Sequence, residues 1–260
     1  MPGVRWNTLT RDDVRSRLEG GALVVLPTAA TEQHGPHLPT GHDSFSVEYI
    51  AHQAAALAET EVVVAPTLVF GSSQHHVPFG GTLSLSTETY YRVVTELVES
   101  AIAGGGHTIL LLNGHGGNQE LNQLVARDVA LAHPPDAGLT LAAASYWQVA
   151  GDALARMPEL DGIRVPGHAG QFETATLLAQ RADLVHLQRA VRDHDRVEAP
   201  EIPGVRIETS GLWQSFDGYT DRPDLATSAL GEAILATVIR EVAALMTRLG
   251  PGASFEPGMP

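Results

Sequence analysis

Four short runs of aliphatic and β-branched residues, separated by longer helical patterns, constrain this chain most. They are Ala22–Pro27, Glu61–Pro66, Thr108–Asn113 and Leu139–Trp147. None alternates apolar with polar residues, so each reads as a strand covered on both faces. Helical periodicity marks Arg11–Glu19, Ser46–Glu59, Glu88–Ala103 and Gln119–Ala132. Thr10 and Asp13 have the spacing of a capping box at the first of these. Such alternation predicts an α/β fold, a mainly parallel sheet with helices on both sides. The second half is less regular. A helix is expected around Phe172–Gln180, loops or a short hairpin over Arg189–Gly218, and a long amphipathic helix over about Thr227–Leu249. Gly250–Pro260 is expected to fray. With no internal repeat and no low-complexity linker, the 260 residues are expected to form one domain with its core at about 21–249.

Composition narrows the chemistry by what is missing. There is no Cys, which excludes disulfides, thiolate metal sites and cysteine nucleophiles. There is no Lys either, which removes Schiff-base chemistry and the lysine of a phosphate-binding loop. A net charge of −14 argues against nucleic acid, where a basic footprint is expected. No stretch approaches the roughly 20 apolar residues that cross a bilayer, and Met-Pro-Gly-Val-Arg-Trp lacks the features of a secretory signal. A soluble cytoplasmic protein is expected. With 12 His in the chain, a metal-activated water leads the remaining nucleophile options.

In open α/β sheets ligands bind beyond the carboxyl ends of the strands, and polar clusters fall there. Thr31-Glu32-Gln33-His34-Gly35-Pro36-His37-Leu38-Pro39, with Asp43 beyond it, follows the first strand; Asn113-Gly114-His115-Gly116-Gly117-Asn118 follows the third. His168 with Glu173 precedes a helix in the second half. Glu32 and His34 are two apart, so an extended segment points both to one side. Mixed carboxylate and imidazole ligands suit Zn, Mn or Fe, and there are more of them than one tetrahedral ion needs. A carboxylate such as Asp43 could bridge two ions. Gly104-Gly105-Gly106 precedes a strand and reads as a turn. No Gly-x-Ser-x-Gly elbow occurs, which sets aside a serine hydrolase.

At these residues the sequence resembles the creatininase family. The likeness runs from about Gly21 to Glu232. Besides the clusters above it includes Ser73-Gln74-His75-His76 leading to Phe79-Gly80-Gly81-Thr82-Leu83-Ser84-Leu85, then His168-Ala169-Gly170-Gln171-Phe172-Glu173-Thr174, then Asp224-Leu225-Ala226-Thr227. The resemblance implies a four-stranded parallel sheet between helices, two divalent metal ions (Zn, Mn or Fe) and homo-oligomers, among them hexamers. It implies hydrolysis of a C–N amide bond in a small cyclic amide or formamide. The alternatives are cleavage of a short precursor peptide in cofactor maturation, or a non-catalytic metal-binding relative. The ligands carried over are Glu32, His34, Asp43 as the bridge and His115. Glu173 is the expected fifth ligand, His168 the proton donor to the leaving nitrogen, and His37, His76 and Trp147 the substrate contacts. Gln33 and Asn113 are expected to orient the ligands. Three positions differ from creatininase proper. Gly117 stands where it has a glutamate ligand, and Arg164 and Gly167 stand where it has a Trp and a Glu.

Overall fold

The computed structural model describes residues 3–190, 207 and 209–251. The parts of the expected irregular stretch and tail that fall on 191–206, 208 and 252–260 lie outside the described residues. The sheet has strands β1 (Val4–Arg5), β2 (Leu23–Thr28), β3 (Val62–Val64), β4 (Thr108–Asn113) and β5 (Thr140–Ser145), ordered β1-β3-β2-β4-β5 with every pairing parallel. This is five strands where four were expected. The extra one, β1, has two residues paired at the edge with Val63 and Val64, too short to leave a periodicity in the sequence.

Side chains of β2 and β4 alternate between two cores. Leu23, Val25, Leu110 and Leu112 face α2 (His42–Leu57), α7 (Gln171–Arg181) and α8 (Ser228–Arg248). Val24, Leu26, Ile109 and Leu111 face α1 (Arg11–Glu19), α3 (Thr87–Ala103) and α4 (Gln119–Ala132). Burial on both faces is why these strands read as unbroken apolar runs. The capping box of α1 forms, with Thr10 and Asp13 each bonding the other's backbone.

Two boundaries differ from expectation, and both matter at the site. Helix α2 begins at His42, not Ser46, so Asp43 lies in its first turn, where the helix dipole favours a carboxylate. Strand β5 stops at Ser145, and Tyr146 with Trp147 opens the short helix α5 (Tyr146–Val149), with α6 (Gly151–Leu154) behind it. β2 pairs with β3 on one side and β4 on the other, and its following helix covers the opposite face from the helix after β4. The loops leaving β2 and β4 therefore part at a crevice beyond their carboxyl ends, the place where such sheets bind ligands. Among the described residues no helix is long and apolar enough to cross a membrane.

Candidate metal centre

Glu32, His34, Asp43, His115, His168 and Glu173 converge on this crevice, and all six are buried. Asp43 sits at the centre. Its Oδ1 lies 3.0 Å from His34 Nε2 and its Oδ2 lies 3.2 Å from His115 Nδ1. Glu32 Oε1 is 3.1 Å from the same His115 nitrogen, and Glu173 Oε2 is 3.7 Å from His34 Nε2. Atoms sharing an ion at about 2.1 Å stand roughly 3–3.5 Å apart, so these separations suit a common cation.

Hydrogen bonds on the far side of each ring give the stronger test of fit. His34 Nδ1 donates to the Glu32 carbonyl at 3.2 Å, His115 Nε2 to the Ser72 carbonyl at 3.2 Å, and His168 Nε2 to the Gln33 carbonyl at 2.9 Å. Backbone carbonyls only accept, so in its neutral form each ring keeps its other nitrogen as a lone pair, and that nitrogen faces the carboxylates. This is the usual support of a metal-binding histidine. His34 Nε2 and Asp43 Oδ2 are buried and, among the described residues, without a hydrogen-bond partner. His34 Nε2 is close to Asp43 Oδ1 but out of line with it, so both atoms face a shared point. The donor set fits divalent cations.

Electrostatics agree. Burial opposes ionisation of Glu32 and Asp43, yet the neighbouring His115 and His34 outweigh it and hold both carboxyls well below their usual range. Burial likewise disfavours a charged His34, but Asp43, Glu173 and Glu32 overcome it and raise its pKa to about 9. His115 moves up for the same reason. Glu173 is pushed up by burial. Without a cation, protons take its place. His168 differs: burial, then the charges of His34 and His76, push it well below the ordinary range, and it stays neutral.

Local sequence explains the placement. Asn113 at the end of β4 accepts from the His115 N–H at 3.1 Å and donates to the His115 carbonyl at 2.7 Å, fixing the backbone of His115. Ala169 holds a left-handed φ of 48° and aims its N–H at Glu173 Oε2, 2.6 Å away. Gly117 is required by close approach. A Cβ there would meet the Ser72 carbonyl oxygen at 2.3 Å and His115 Nε2 at 2.6 Å, so this backbone admits no side-chain ligand at that position.

One expected site residue is turned away. His37 Nε2 bonds the Ala169 carbonyl at 3.0 Å and Thr174 Oγ1 at 3.1 Å, and the ring pins the start of α7, which carries Glu173, without lining the cavity. His76 and Trp147 do line the cavity, which holds about 630 Å³ and is also bounded by Glu32, Asp43, His115 and Trp213. A larger hollow of about 770 Å³ lies behind Trp147 around Met157 and Ile163, away from the carboxylate–imidazole cluster.

Four neighbours of the cluster had no role assigned from the sequence, although Ser73 and His75 stand in a motif quoted above. His42 joins His34, Asp43 and Glu173 in one group of ligand-type atoms, and His75 joins Glu32 and His115 in another. Ser73 donates a short hydrogen bond to Glu32 Oε2. Trp213 packs edge-on against His76 and His168, with ring centroids at 4.7 and 5.5 Å. His42 and His75 adjoin residues already singled out, so adjacency could have found them. Trp213 lies in a stretch with no periodicity and left no trace.

Comparison with known proteins agrees with this geometry. A mycofactocin precursor peptide peptidase of Mycolicibacterium smegmatis is 31% identical over 234 residues, covering 88% of this chain and 86% of that one. The creatinine amidohydrolase of Pseudomonas putida is 27% identical over 90% of this chain and 93% of its own. A solved structure described as creatininase Mn superposes with a TM-score of 0.79 at 25% identity, covering 96% of this chain and 99% of that one. The family model described as creatinine amidohydrolase matches residues 7–246, and the chain belongs to the creatininase family.

Proposed function

We propose that this chain hydrolyses a C–N amide bond of a small substrate with two divalent cations. One is held by Glu32, Asp43 and His115, the other by His34, Asp43 and Glu173. The observation that carries the reading is the convergence of imidazole lone pairs on three buried carboxylates, each ring locked by a bond to a backbone carbonyl. The likeness to a creatininase described with Mn supports metal use. Bound there, the ions would supply the Lewis acidity that brings the pKa of a water down toward about 7.

The chain's own groups do the rest. His168 keeps a neutral Nδ1 lone pair 3.6 Å from Glu32 Oε1 and can accept the proton of the attacking water. As the water oxygen bonds to the amide carbon and the C–N bond breaks, the same proton passes to the leaving nitrogen. His168 thus serves first as base and then as acid. His37, through Ala169 and Thr174, keeps the start of α7, which carries Glu173, in register.

A second substrate class within this chemistry is a short peptide. It is favoured by the 31% identity to a peptidase, against 27% to the creatinine enzyme. Metal analysis of the purified protein, followed by a panel of creatinine, lactams, formamides and short peptides with the metal found, tests the reading. Turnover of an amide that chelator abolishes and Zn or Mn restores is expected. For creatinine, with Arg164 and Gly167 where creatininase has a Trp and a Glu, kcat/KM should fall below about 10⁴ M⁻¹s⁻¹. A fully loaded protein inert toward the whole panel would dismiss hydrolysis in favour of a metal-binding relative.

A further inference from the structure

Gln33 lies between the two ligands Glu32 and His34 and binds no cation in this scheme, yet its hydrogen bonds fix the chemistry of two cavity rings. Its side-chain Oε1 accepts from the Gly35 N–H at 2.9 Å, and its Nε2 donates to the Gly218 carbonyl at 2.6 Å. Turning the amide over would set two donors against each other at Gly35 and two acceptors at Gly218, so its orientation is determined. Gly218 is part of the device. It adopts φ 75°, and a Cβ there would strike Gln33 Nε2 at 2.7 Å.

The second hydrogen on Gln33 Nε2 is left for His76 Nδ1, 2.9 Å away. An amide nitrogen cannot accept, so His76 Nδ1 must, and the proton of the neutral ring belongs on Nε2. That N–H faces the cavity 4.0 Å from Glu32 Oε1, too far for a hydrogen bond. Meanwhile the Gln33 backbone carbonyl accepts from His168 Nε2, leaving that ring's Nδ1 bare. The 3.1 Å approach of Gln33 Nε2 to His168 Nε2 is then a contact between two donors, and a bond only if His168 changes tautomer. The two rings stack at 4.0 Å with planes 17° apart, and Trp213 meets their edges. One residue thus holds both neighbouring histidines in the Nε2–H tautomer but turned opposite ways, with the bare Nδ1 of His168 and the Nε2–H of His76 left free of Gln33.

We propose that the His76 Nε2–H is the protein's hydrogen-bond donor to the amide carbonyl oxygen, fixed in that tautomer by Gln33. This deepens the hydrolase reading and rests on it. A neutral ring presenting N–H to the cavity can neither ligate a cation through that nitrogen nor accept a proton there. It can only donate. When water adds to the amide carbon, the carbonyl oxygen takes up the electron pair of the C=O bond, and a preformed donor at that oxygen stabilises the charge as it develops. When the C–N bond breaks, the pair returns to the C=O and the hydrogen bond weakens again. His76 is a catalytic residue by this assignment, and Gln33 a positioning one.

The test uses the zinc-loaded protein with ¹⁵N-labelled histidine, His76 being assigned by its loss in His76→Phe. Long-range ¹H–¹⁵N spectra should show His76 protonated at Nε2 and bare at Nδ1, with the preference lost in Gln33→Leu. A proton on Nδ1 in the wild type would overturn the assignment. His76→Phe keeps the flat ring and should retain the full zinc content; loss of an ion would make His76 a ligand instead. Its kcat on the best panel amide should fall about 10²–10³-fold, with KM nearly unchanged and partial recovery in His76→Gln. A kcat within threefold of wild type would remove the donor role. If no amide is turned over, inorganic phosphate serves as a tetrahedral oxyanion. It should shift the His76 Nε2–H resonance and bind at least tenfold more weakly to His76→Phe, whereas an unmoved resonance would sink the donor role. Inactive wild type with that response counts against amide hydrolysis alone.

Discussion

A carboxylate with one oxygen at each of two ligand groups makes a sharp prediction. Asp43→Ala should empty both ion positions together, whereas Glu173→Gln should release only the ion shared with His34, and elemental analysis separates them. If Glu173 were merely an acidic residue in the first turn of α7, the change would cost roughly 0.3–1 kcal/mol of stability and leave both ions in place. The protons that occupy the metal-free site supply a pH test. His34 has its folded pKa raised from 6.5 to about 9, so its contribution to stability is fully present below pH 6.5 and is lost as pH rises through 9. Metal-free protein should lose on the order of 1–3 kcal/mol across that window in denaturant titrations, while zinc-loaded protein stays level. Residue types and spacing made the carboxylate–imidazole cluster legible in the sequence. They could not tell the surroundings of His37 from those of His34, because the partners of His37, Ala169 and Thr174, lie more than a hundred residues away.

Elements were legible in proportion to their length and to how local their determinants are. Helix α1 is fixed by neighbours in sequence, and its capping box appeared where Thr10 and Asp13 placed it. Thr10→Ala should therefore cost about 1 kcal/mol by thermal or chemical denaturation and leave metal content and turnover unchanged. The start of α2 was not legible. His42, Asp43 and Ser44 have poor helix propensity, and they are wound into the first turn because His42 and Asp43 are buried against the first turn of α7 and the loop after β2. Ser145 closing β5 is a similar case. Its hydroxyl accepts from Asn113 and donates to Gln119, and the chain turns into α5 with Trp147 at the cavity.

For the molecule as a whole, Glu32, Asp43 and Glu173 amount to three carboxyl groups buried in one crevice, with protonated His34 and His115 beside them in the metal-free state. Chelation should lower Tm by several degrees at pH 8, where those protons begin to leave, and added Zn should restore it with the logarithm of its concentration over Kd. The layered fold extends the point. Asp43 is carried by the helix that seals one core, and His115 by the loop leading to the helix that seals the other. Small displacements in either core arrive at the crevice as an error in ligand spacing. A shift of half an ångström that the apolar layers absorb without unfolding is intolerable between atoms meant to share one ion. Metal affinity is thus a finer gauge of the chain's internal alignment than melting temperature, and core substitutions far from the crevice will register in an ion titration first.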